Sequence, residues 1–253
     1  MLSGLRWLAR GEADLPGNGS WLSAAEAVRA SGIRFTKRRT EYLVRRWTAK
    51  HAVAAQLGLP VDPAWFGRIE VRNAGTGAPE VWVDGLPAGV GVSLTDRAGW
   101  GVCLVGGGSC AVGCDLELVE PRSLGFVHDF LTEAEQRLVL GARSEADRQV
   151  LANLVWSAKE SALKVLRTGL GRDTRSVEVR LHGEPGPGGS ADGWSGLTVR
   201  GTDGDEFPGW WCRQGAFLIT VAYDAPAGPP MSIGDPAGIA AAEPVHSWLH
   251  HPV

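Results

Sequence analysis

The sequence has no apolar run that approaches the roughly 20 residues of a membrane-spanning helix. Residues 1–16 also lack the long apolar stretch and the cleavage site of a signal peptide. These absences argue against an integral membrane protein and against a secreted one. We therefore expect a cytoplasmic protein with no membrane association.

Metal-ligand cysteine patterns and a basic excess are missing as well. The four cysteines, Cys103, Cys110, Cys114 and Cys212, form no Cys-x-x-Cys pair, and no histidine pair has zinc-ligand spacing. We interpret them as buried or idle thiols in a reducing compartment. With 25 Lys and Arg against 28 Asp and Glu, the net charge of −3 argues against nucleic acid as the main partner.

The remaining composition, 44% hydrophobic and 21% charged residues over 253 positions, is typical of a globular protein with one large domain or two small ones. Helical spacing predicts helices over residues 23–30, 40–57, 129–141 and 148–167, the last ended by Gly169 and Gly171. Turn signals and β-rich runs predict strands over residues 69–72, 80–83, 91–94, 100–105, 111–119, 177–181, 197–200 and 217–223. Residues 184–192 are expected to form a Gly/Pro loop, and residues 225–253 an irregular or loose tail.

Both halves of the chain follow the same order, a long helix and then strands. We see no sequence identity between them, so an internal duplication is a hypothesis at this stage.

Two carboxylates lie on one predicted strand. Asp115 and Glu117 are two residues apart, which places both side chains on one face, while Leu116 and Leu118 point into a core. Carboxylates this close repel each other unless a cation or a proton lies between them. The alternative is the solvated polar face of an edge strand.

A later helix carries a third carboxylate. Trp156, Glu160, Lys164 and Arg167 share one face of the predicted helix, and the apolar residues form another face. Glu160 and Lys164 could simply form an exposed i, i+4 ion pair. Trp156 on the same stripe favours a face that contacts protein or a pocket. Three acids on two rigid elements suit a hard divalent cation, and nearby lysines suit its phosphates.

An earlier helix is strongly basic. Residues 34–50 contain seven Lys and Arg and a single acid; Arg39, Arg46 and Lys50 form one ridge, and Arg38 and Arg45 form a neighbouring one. Crowded like charges cost stability, and a bound phosphate-rich ligand would offset that cost. A nucleic-acid patch and a plain solvated face are the two alternatives.

Together these residues resemble the 4′-phosphopantetheinyl transferase superfamily, in its monomeric Sfp-type branch. The family signature is a Gly-x-Asp-x-Glu strand followed by a Trp/Phe-x-x-Lys-Glu-Ser/Ala-x-x-Lys helix. This chain has Gly113-Cys-Asp115-Leu-Glu117 and then Trp156-Ser-Ala-Lys159-Glu160-Ser-Ala-Leu-Lys164. The basic helix is similar to the family's coenzyme A-binding helix, and the resemblance covers about residues 38–181.

The resemblance implies transfer of the phosphopantetheine arm of coenzyme A to a serine of an apo acyl or peptidyl carrier protein. The second product would be adenosine 3′,5′-bisphosphate. Asp115, Glu117 and Glu160 would bind Mg²⁺, and Glu160 would be the base for the serine proton. Lys164 would stabilise the α-phosphate, with Lys159 as a second candidate. The carrier would belong to a fatty-acid, polyketide or peptide synthase.

Further ligand contacts follow from the same resemblance. The 3′-phosphate and adenosine end of coenzyme A would be held by Arg39, Arg46 and Lys50. The implied fold is α+β, with two similar α/β subdomains related by a pseudo-twofold and the site in the cleft between them. We expect subdomains at residues 1–112 and 113–224, a tail at 225–253, a monomer, and a carrier docked across the cleft near residues 123–138.

The chain departs from the family pattern at one place. Where most members have Ser-x-Ser-His, with the histidine on a coenzyme A phosphate, this chain has Ser93-Leu-Thr95-Asp96 followed by Arg97. Arg97 could take over the phosphate contact, or Asp96 could reach an adenine amino group or a basic side chain. We expect weakened coenzyme A binding. The rival hypotheses are a non-catalytic coenzyme A- or carrier-binding relative and an unrelated Mg²⁺-dependent phosphohydrolase.

Overall fold

A computed structural model describes residues 4–108, 110–168, 171–182 and 193–244. The helix stop expected at Gly169 and the loop expected at residues 184–192 lie outside these ranges, as do the last nine residues. Within them, no helix is long and apolar enough to cross a membrane. Helices and antiparallel sheets are mixed along the chain, so the expected α+β class is confirmed.

The described part of the first half contains two α-helices and six strands. They are β1 (Arg6–Gly11), α1 (Ala24–Gly32), α2 (Thr36–Leu57), β2 (Ile69–Asn73), β3 (Pro79–Val83), β4 (Leu86–Pro87), β5 (Val90–Arg97) and β6 (Trp100–Gly107). The described part of the second half contains β7 (Val112–Leu118), α3 (Leu124–Phe130), α4 (Glu133–Leu140), α5 (Glu145–Val165), β8 (Val177–Leu181), β9 (Ser195–Gly201), β10 (Glu206–Gln214) and β11 (Phe217–Tyr223). The segment that follows adds β12 (Met231–Ser232) and α6 (Ala237–Ala240).

The strands form three sheets, in the orders β12-β1-β6-β5, β7-β11-β10-β9-β8 and β2-β3-β4. Alternate residues of β6 and β11 face opposite sides: Leu104 and Ile219 belong to a core shared by the two larger sheets. Cys103 instead faces the core under α2, and Leu218 faces the core under α5. Each long helix therefore covers the outer face of one sheet, and the two sheets pack against each other.

The observed elements differ from the predicted ones where a local signal is weak or misleading. The predicted helix 129–141 is two helices, because the Thr132 side chain accepts from the Glu135 amide and starts α4 afresh. Strand β10 is absent from the predicted elements, and it contains Pro208 and Gly209, residues that usually interrupt strands. Here a Cβ atom at Gly209 would collide with the Val221 carbonyl, so glycine permits the close strand pairing.

The tail expected after residue 224 is only partly irregular. Strand β12 pairs in parallel with β1, and Ile239 of α6 is buried in the core shared by the two larger sheets. The Trp210 indole also donates to the Ala227 carbonyl at 3.0 Å. Residues 225–244 thus bind both halves together instead of forming loose chain.

A buried lysine–glutamate pair anchors each long helix. In the second half, Lys159 of α5 is fully buried and lies 2.7 Å from the Glu135 carboxylate, and its ammonium donates to the Thr174 and Val177 carbonyls. Glu135 also accepts from the Val179 amide at 2.7 Å. Burial lowers the pKa of Lys159 and raises that of Glu135, and the attraction between them opposes both shifts.

The first half contains the same network. Lys50 of α2 is fully buried, lies 2.6 Å from Glu26, and donates to the Phe66 and Ile69 carbonyls. Glu26 accepts from the Val71 amide at 3.0 Å. Like Glu135, it closes a capping box at the start of a helix.

The two networks also correspond in sequence, in a short identity that the hypothesis of an internal duplication did not include. Trp47-Thr-Ala-Lys50 and Trp156-Ser-Ala-Lys159 occupy equivalent positions on α2 and α5. The sequence identity between the two segments covers only a few residues. It is therefore recognised only when the two lysine networks are compared. The ammonium groups of Lys50 and Lys159 are fully buried against glutamate and carbonyl oxygens, which argues against the ligand contacts that we expected for them from the resemblance.

We predict that Lys159→Met lowers the free energy of unfolding by about 3–5 kcal/mol, because it leaves the buried Glu135 carboxylate without its cation. Chemical denaturation at pH 7 measures this change. Arg137→Met on the exposed Arg137–Glu133 pair is the control and should change stability by less than about 0.5 kcal/mol. A loss at Lys159 as small as that at Arg137 would contradict the anchoring role.

Candidate active site

The edges of the two larger sheets meet at strands β5 and β7. The Cys114 amide donates to the Ser93 hydroxyl at 3.0 Å, and the Thr95 hydroxyl donates to Asp115 at 3.1 Å. This contact brings residues 95–97 of the first half beside the two carboxylates of the second half. The candidate site therefore lies where the halves join.

Helix α5 lies directly on the carboxylate face of β7. A Cβ atom at Gly113 would collide with the Ser161 carbonyl, so this position requires glycine for the helix to approach. Leu116 and Leu118 face the shared core, as expected. Asp115 is only 7% exposed, so the solvated edge strand considered from the sequence is excluded.

Asp115 is surrounded by donors. Its Oδ1 atom lies 2.9 Å from the Lys164 ammonium, which also donates to the Cys114 carbonyl at 2.8 Å. Its Oδ2 atom accepts from the Ser157 hydroxyl at 2.9 Å. Burial lowers the pKa of Lys164, but the attraction of its anionic neighbours, first of all Asp115, and the hydrogen bond to Asp115 together raise it, so this lysine stays protonated at neutral pH.

Glu117 is held by an indole and two guanidinium groups. The Trp156 Nε1 donates to Oε1 at 3.0 Å, the Arg122 guanidinium donates to Oε2 at 3.1 Å, and Arg97 lies 3.4 Å from Oε2. Burial, helped by repulsion from Asp115, still raises the pKa of Glu117 to about 7. Its carboxylate is thus poorly compensated despite three donors.

Glu160 is the least satisfied of the three acids. Its Oε1 atom is buried and has no hydrogen-bond partner among the described residues. Burial first, and then repulsion from Asp115, raise its pKa to about 7, while Lys164 opposes the rise. A carboxylate of this kind takes up a proton near neutral pH or accepts a nearby cation.

The three acids approach one another without forming a finished metal cage. No group of three or more His, Cys, Asp or Glu side chains in the described ranges is arranged so that it could hold a metal ion. Asp115 instead forms an ion pair with Lys164, and Glu117 forms ion pairs with Arg97 and Arg122. Their oxygen donors and mutual repulsion nevertheless have the chemistry that suits Mg²⁺.

A basic pocket adjoins this cluster. It has a volume of about 360 Å³, and its cationic lining residues are Arg29, Arg45, Arg46 and Lys164. Arg46 is buried, stacks over the Tyr42 ring at 4.6 Å, and donates to the Asn73 amide oxygen at 3.0 Å. The pocket can accept a ligand with several phosphate groups, with one end beside Asp115.

The structure separates the basic residues that the sequence grouped together. Arg46 lines this pocket as expected, but Arg39 is exposed and lines a different depression with Leu15 and Leu43. Arg39 and Lys50 do not line this pocket with Arg46, which argues against the expected contact of all three with one end of the ligand. Arg45, from the neighbouring ridge, lines the pocket instead. Successive helix residues are about 100° apart around the axis, so the sequence alone does not show which of two neighbouring ridges faces the pocket.

The segment Thr95–Asp96–Arg97 divides between two surfaces because side chains alternate along β5. Thr95 and Arg97 contact Asp115 and Glu117, whereas Asp96 faces α2 and forms an ion pair with Arg45. The basic-side-chain alternative for Asp96 is thus the one observed. Arg97 is engaged with Glu117 and with Glu120, at 2.9 Å from the latter.

Three residues of the site were not predicted from the sequence: Arg29, Arg122 and Ser157. Ser157 lies one turn before Ser161 on the α5 face toward β7, and both hydroxyls also contact Thr220, so a serine pair at helical spacing was the available signal. The two arginines come from a separate helix and a loop, and no local spacing connects them to the carboxylates.

An aromatic cluster joins the site to the surface. Phe126 and Phe130 of α3 and Trp156 of α5 pack with ring centroids 5.1–5.2 Å apart. Nearby apolar side chains are exposed, including Leu124 at 58%. Because Trp156 also holds Glu117, this surface lies directly beside the acids.

Comparison with known families locates the same region. Residues 111–212 match the family model of the 4′-phosphopantetheinyl transferase superfamily. The matched segment runs from β7 into β10, includes Asp115, Glu117, Glu160 and Lys164, and is less than half of the chain. No curated protein gives a significant match. The match supports a phosphopantetheine-transferring activity in general, and the mixed α+β structure fits it; the Sfp-type branch stays a prediction.

We predict that Glu160 makes the metal-free protein less stable as the pH rises from about 4.5 to about 7. In this window the folded state binds more protons than the unfolded state, so stability falls with rising pH. Above pH 7 Glu160→Gln should be more stable than the wild type by roughly 1–2 kcal/mol, because solvent screens part of the shift. At pH 4 the two should agree.

Denaturant titrations across pH 4–8 measure this difference. Glu133→Gln, a change at a 92% exposed side chain on α4, is the matched control and should follow the wild type throughout. An identical pH dependence in Glu160→Gln and the wild type would refute the perturbed carboxyl group.

Proposed function

We propose that this chain transfers the 4′-phosphopantetheine arm of coenzyme A to a serine hydroxyl of an apo carrier protein and releases adenosine 3′,5′-bisphosphate. The observation that carries this proposal is the contact of Lys164 with Asp115 between a basic pocket and two poorly compensated glutamates. The superfamily match over residues 111–212 supports the general reaction.

Asp115, Glu117 and Glu160 would hold Mg²⁺. Two observations support this assignment: the unpartnered buried oxygen of Glu160, and the repulsion by which Asp115 raises the pKa of both glutamates. A bound Mg²⁺ supplies charge neutralisation on the pyrophosphate. The residues that now compensate the acids, above all Arg97 and Lys164, would then be available to phosphate oxygens.

The protein groups have separate roles in this reaction. The serine oxygen forms a bond to the phosphorus that carries pantetheine, while the bond from that phosphorus to the bridging oxygen breaks. Glu160, with a pKa of about 7, accepts the serine proton directly or through water. Lys164 stabilises the charge on the departing α-phosphate. Arg45, Arg46 and Arg29 bind the adenosine and 3′-phosphate end.

The two halves would be related by a pseudo-twofold, with the site in the cleft between residues 1–112 and residues 113–224. The repeated lysine–glutamate network on α2 and α5 supports this relation. A chain that contains both halves has no need of a second copy to complete the site, so we expect a monomer of the Sfp type.

A non-catalytic relative that binds coenzyme A or a carrier is the second candidate. The Asp96–Arg45 pair favours it, since this carboxylate occupies a cation of the basic pocket. The presence of Lys164 and all three acids in one cluster favours the enzyme. The assay below separates the two.

We predict that incubation with coenzyme A, Mg²⁺ and an apo carrier adds about 340 Da to the carrier serine, as seen by mass spectrometry. Glu160→Gln should reduce the rate about 100-fold or more with the fold intact, because general bases contribute that much. Glu133→Gln, the same change on an exposed site, should keep the wild-type rate.

No addition to any acyl or peptidyl carrier would favour the non-catalytic relative. Phosphate release without a carrier would favour a phosphohydrolase. A Glu160→Gln variant as active as Glu133→Gln would remove Glu160 from the mechanism.

The carrier would dock on α3 and α4, within the expected region 123–138. Exposed apolar side chains on these two helices are Leu124, Phe130 of the aromatic cluster, Leu138 and, just beyond that region, Leu140. Apolar surface of this kind, next to the acids, suits a transient protein partner. The serine of a docked carrier would then lie close to Glu117 and Glu160.

We predict that Leu124→Asp raises the KM for the carrier about tenfold, because it places a charge in an apolar interface. The affinity for coenzyme A should stay unchanged. Val61→Asp, at a comparably exposed apolar residue after α2, is the control. Equal KM values for the two variants in steady-state kinetics would place the docking surface elsewhere.

A further inference from the structure

Arg45 stands between two basic depressions. The inner one, of about 360 Å³, contains Lys164, and the outer one, of about 480 Å³, contains Arg34 and Arg38. Both are lined by Arg29, Tyr42 and Arg45. A ligand that extends from Lys164 toward the outer arginines must therefore pass Arg45.

Asp96 holds Arg45 at this boundary. Their side chains form an ion pair and are 16% and 32% exposed, so the contact is largely shielded from water. Burial raises the pKa of Asp96, and Arg45 is the strongest of the groups that oppose this rise. Arg45 is thus the main group that favours the charged form of this buried carboxyl group.

Two of the other three cations of the inner pocket have different partners. Lys164 is paired with Asp115, and Arg46 with Asn73 and the Tyr42 ring. Asp96 is the sole acid among the described residues that line the pocket. It therefore occupies the position at which an incoming phosphate would meet Arg45.

We propose that Asp96 is an internal competitor for ligand phosphate: its carboxylate occupies Arg45, and an anionic ligand binds by displacing it. Asp96 thereby sets the affinity of the basic pocket. The identification of the ligand as coenzyme A rests on the proposed function, whereas the competition for a phosphate group does not.

The test is calorimetric titration with inorganic pyrophosphate in the absence of divalent metal. We expect Asp96→Asn to bind pyrophosphate about tenfold more tightly than the wild type, because Arg45 is released at constant side-chain volume. Glu41→Gln is the matched control: it removes one negative charge from the same basic surface, in the outer depression. Its affinity should change less than about twofold.

A double variant makes the test specific to the ion pair. The gain from Asp96→Asn should disappear in the Arg45→Gln background, since no cation is then released. An unchanged or weaker affinity in Asp96→Asn overturns the proposal. So does an equal gain in Glu41→Gln, or a full gain in the double variant. If Asp96→Asn does not fold, as judged by thermal unfolding, Asp96→Ser is titrated in its place with the same criteria.

Titration with coenzyme A separates this inference from the proposed function. The same order of affinities with coenzyme A supports both. If pyrophosphate follows the expected order but coenzyme A does not bind to any variant, the proposed function fails and the competition stands. If coenzyme A binds equally to the wild type and Asp96→Asn, and pyrophosphate shows no gain either, the inference fails and the proposed function stands.

Discussion

The buried Lys159–Glu135 ion pair is the constraint on which the candidate site depends. Lys159 is enclosed by Glu135 and by backbone carbonyls at the start of β8, so it fixes the rotation of α5 about its axis. Glu160 follows in the chain, and Lys164 comes just over one turn later, so this rotation also determines what they face. Lys50 does the same for α2, which presents Arg45 and Arg46 to the cleft.

Both halves use this anchor, and in the second half two acids of β7 lie beside the anchored helix. Gly113 lets α5 contact β7, so Asp115 and Glu117 lie beneath the helix and not at an open edge. Burial raises the pKa of Glu117 and Glu160 more than the repulsion from neighbouring carboxylates does. The raised pKa values of these two glutamates are therefore a consequence of close packing. Carboxyl groups with raised pKa values suit a site that binds a cation and transfers a proton.

The sequence predicted both long helices, the acidic strand and the α+β class, because each has a strong periodicity or a rigid motif. It assigned the basic residues less well. Lys50 and Lys159 resemble ligand-binding lysines in any helical projection, since sequence spacing does not show whether a distant glutamate meets the ammonium. The capping boxes that begin at Ser23 and Thr132 held part of that information, because their glutamates are the partners.

The most direct test of this account is a crystal structure with coenzyme A and Mn²⁺ in place of Mg²⁺, in which anomalous scattering locates the metal. The account predicts a peak within about 2.3 Å of oxygens from Asp115, Glu117 and Glu160, with Lys164 on a phosphate and Lys159 still on Glu135. A manganese peak at other residues, or Lys159 turned from Glu135 to the ligand, would contradict it.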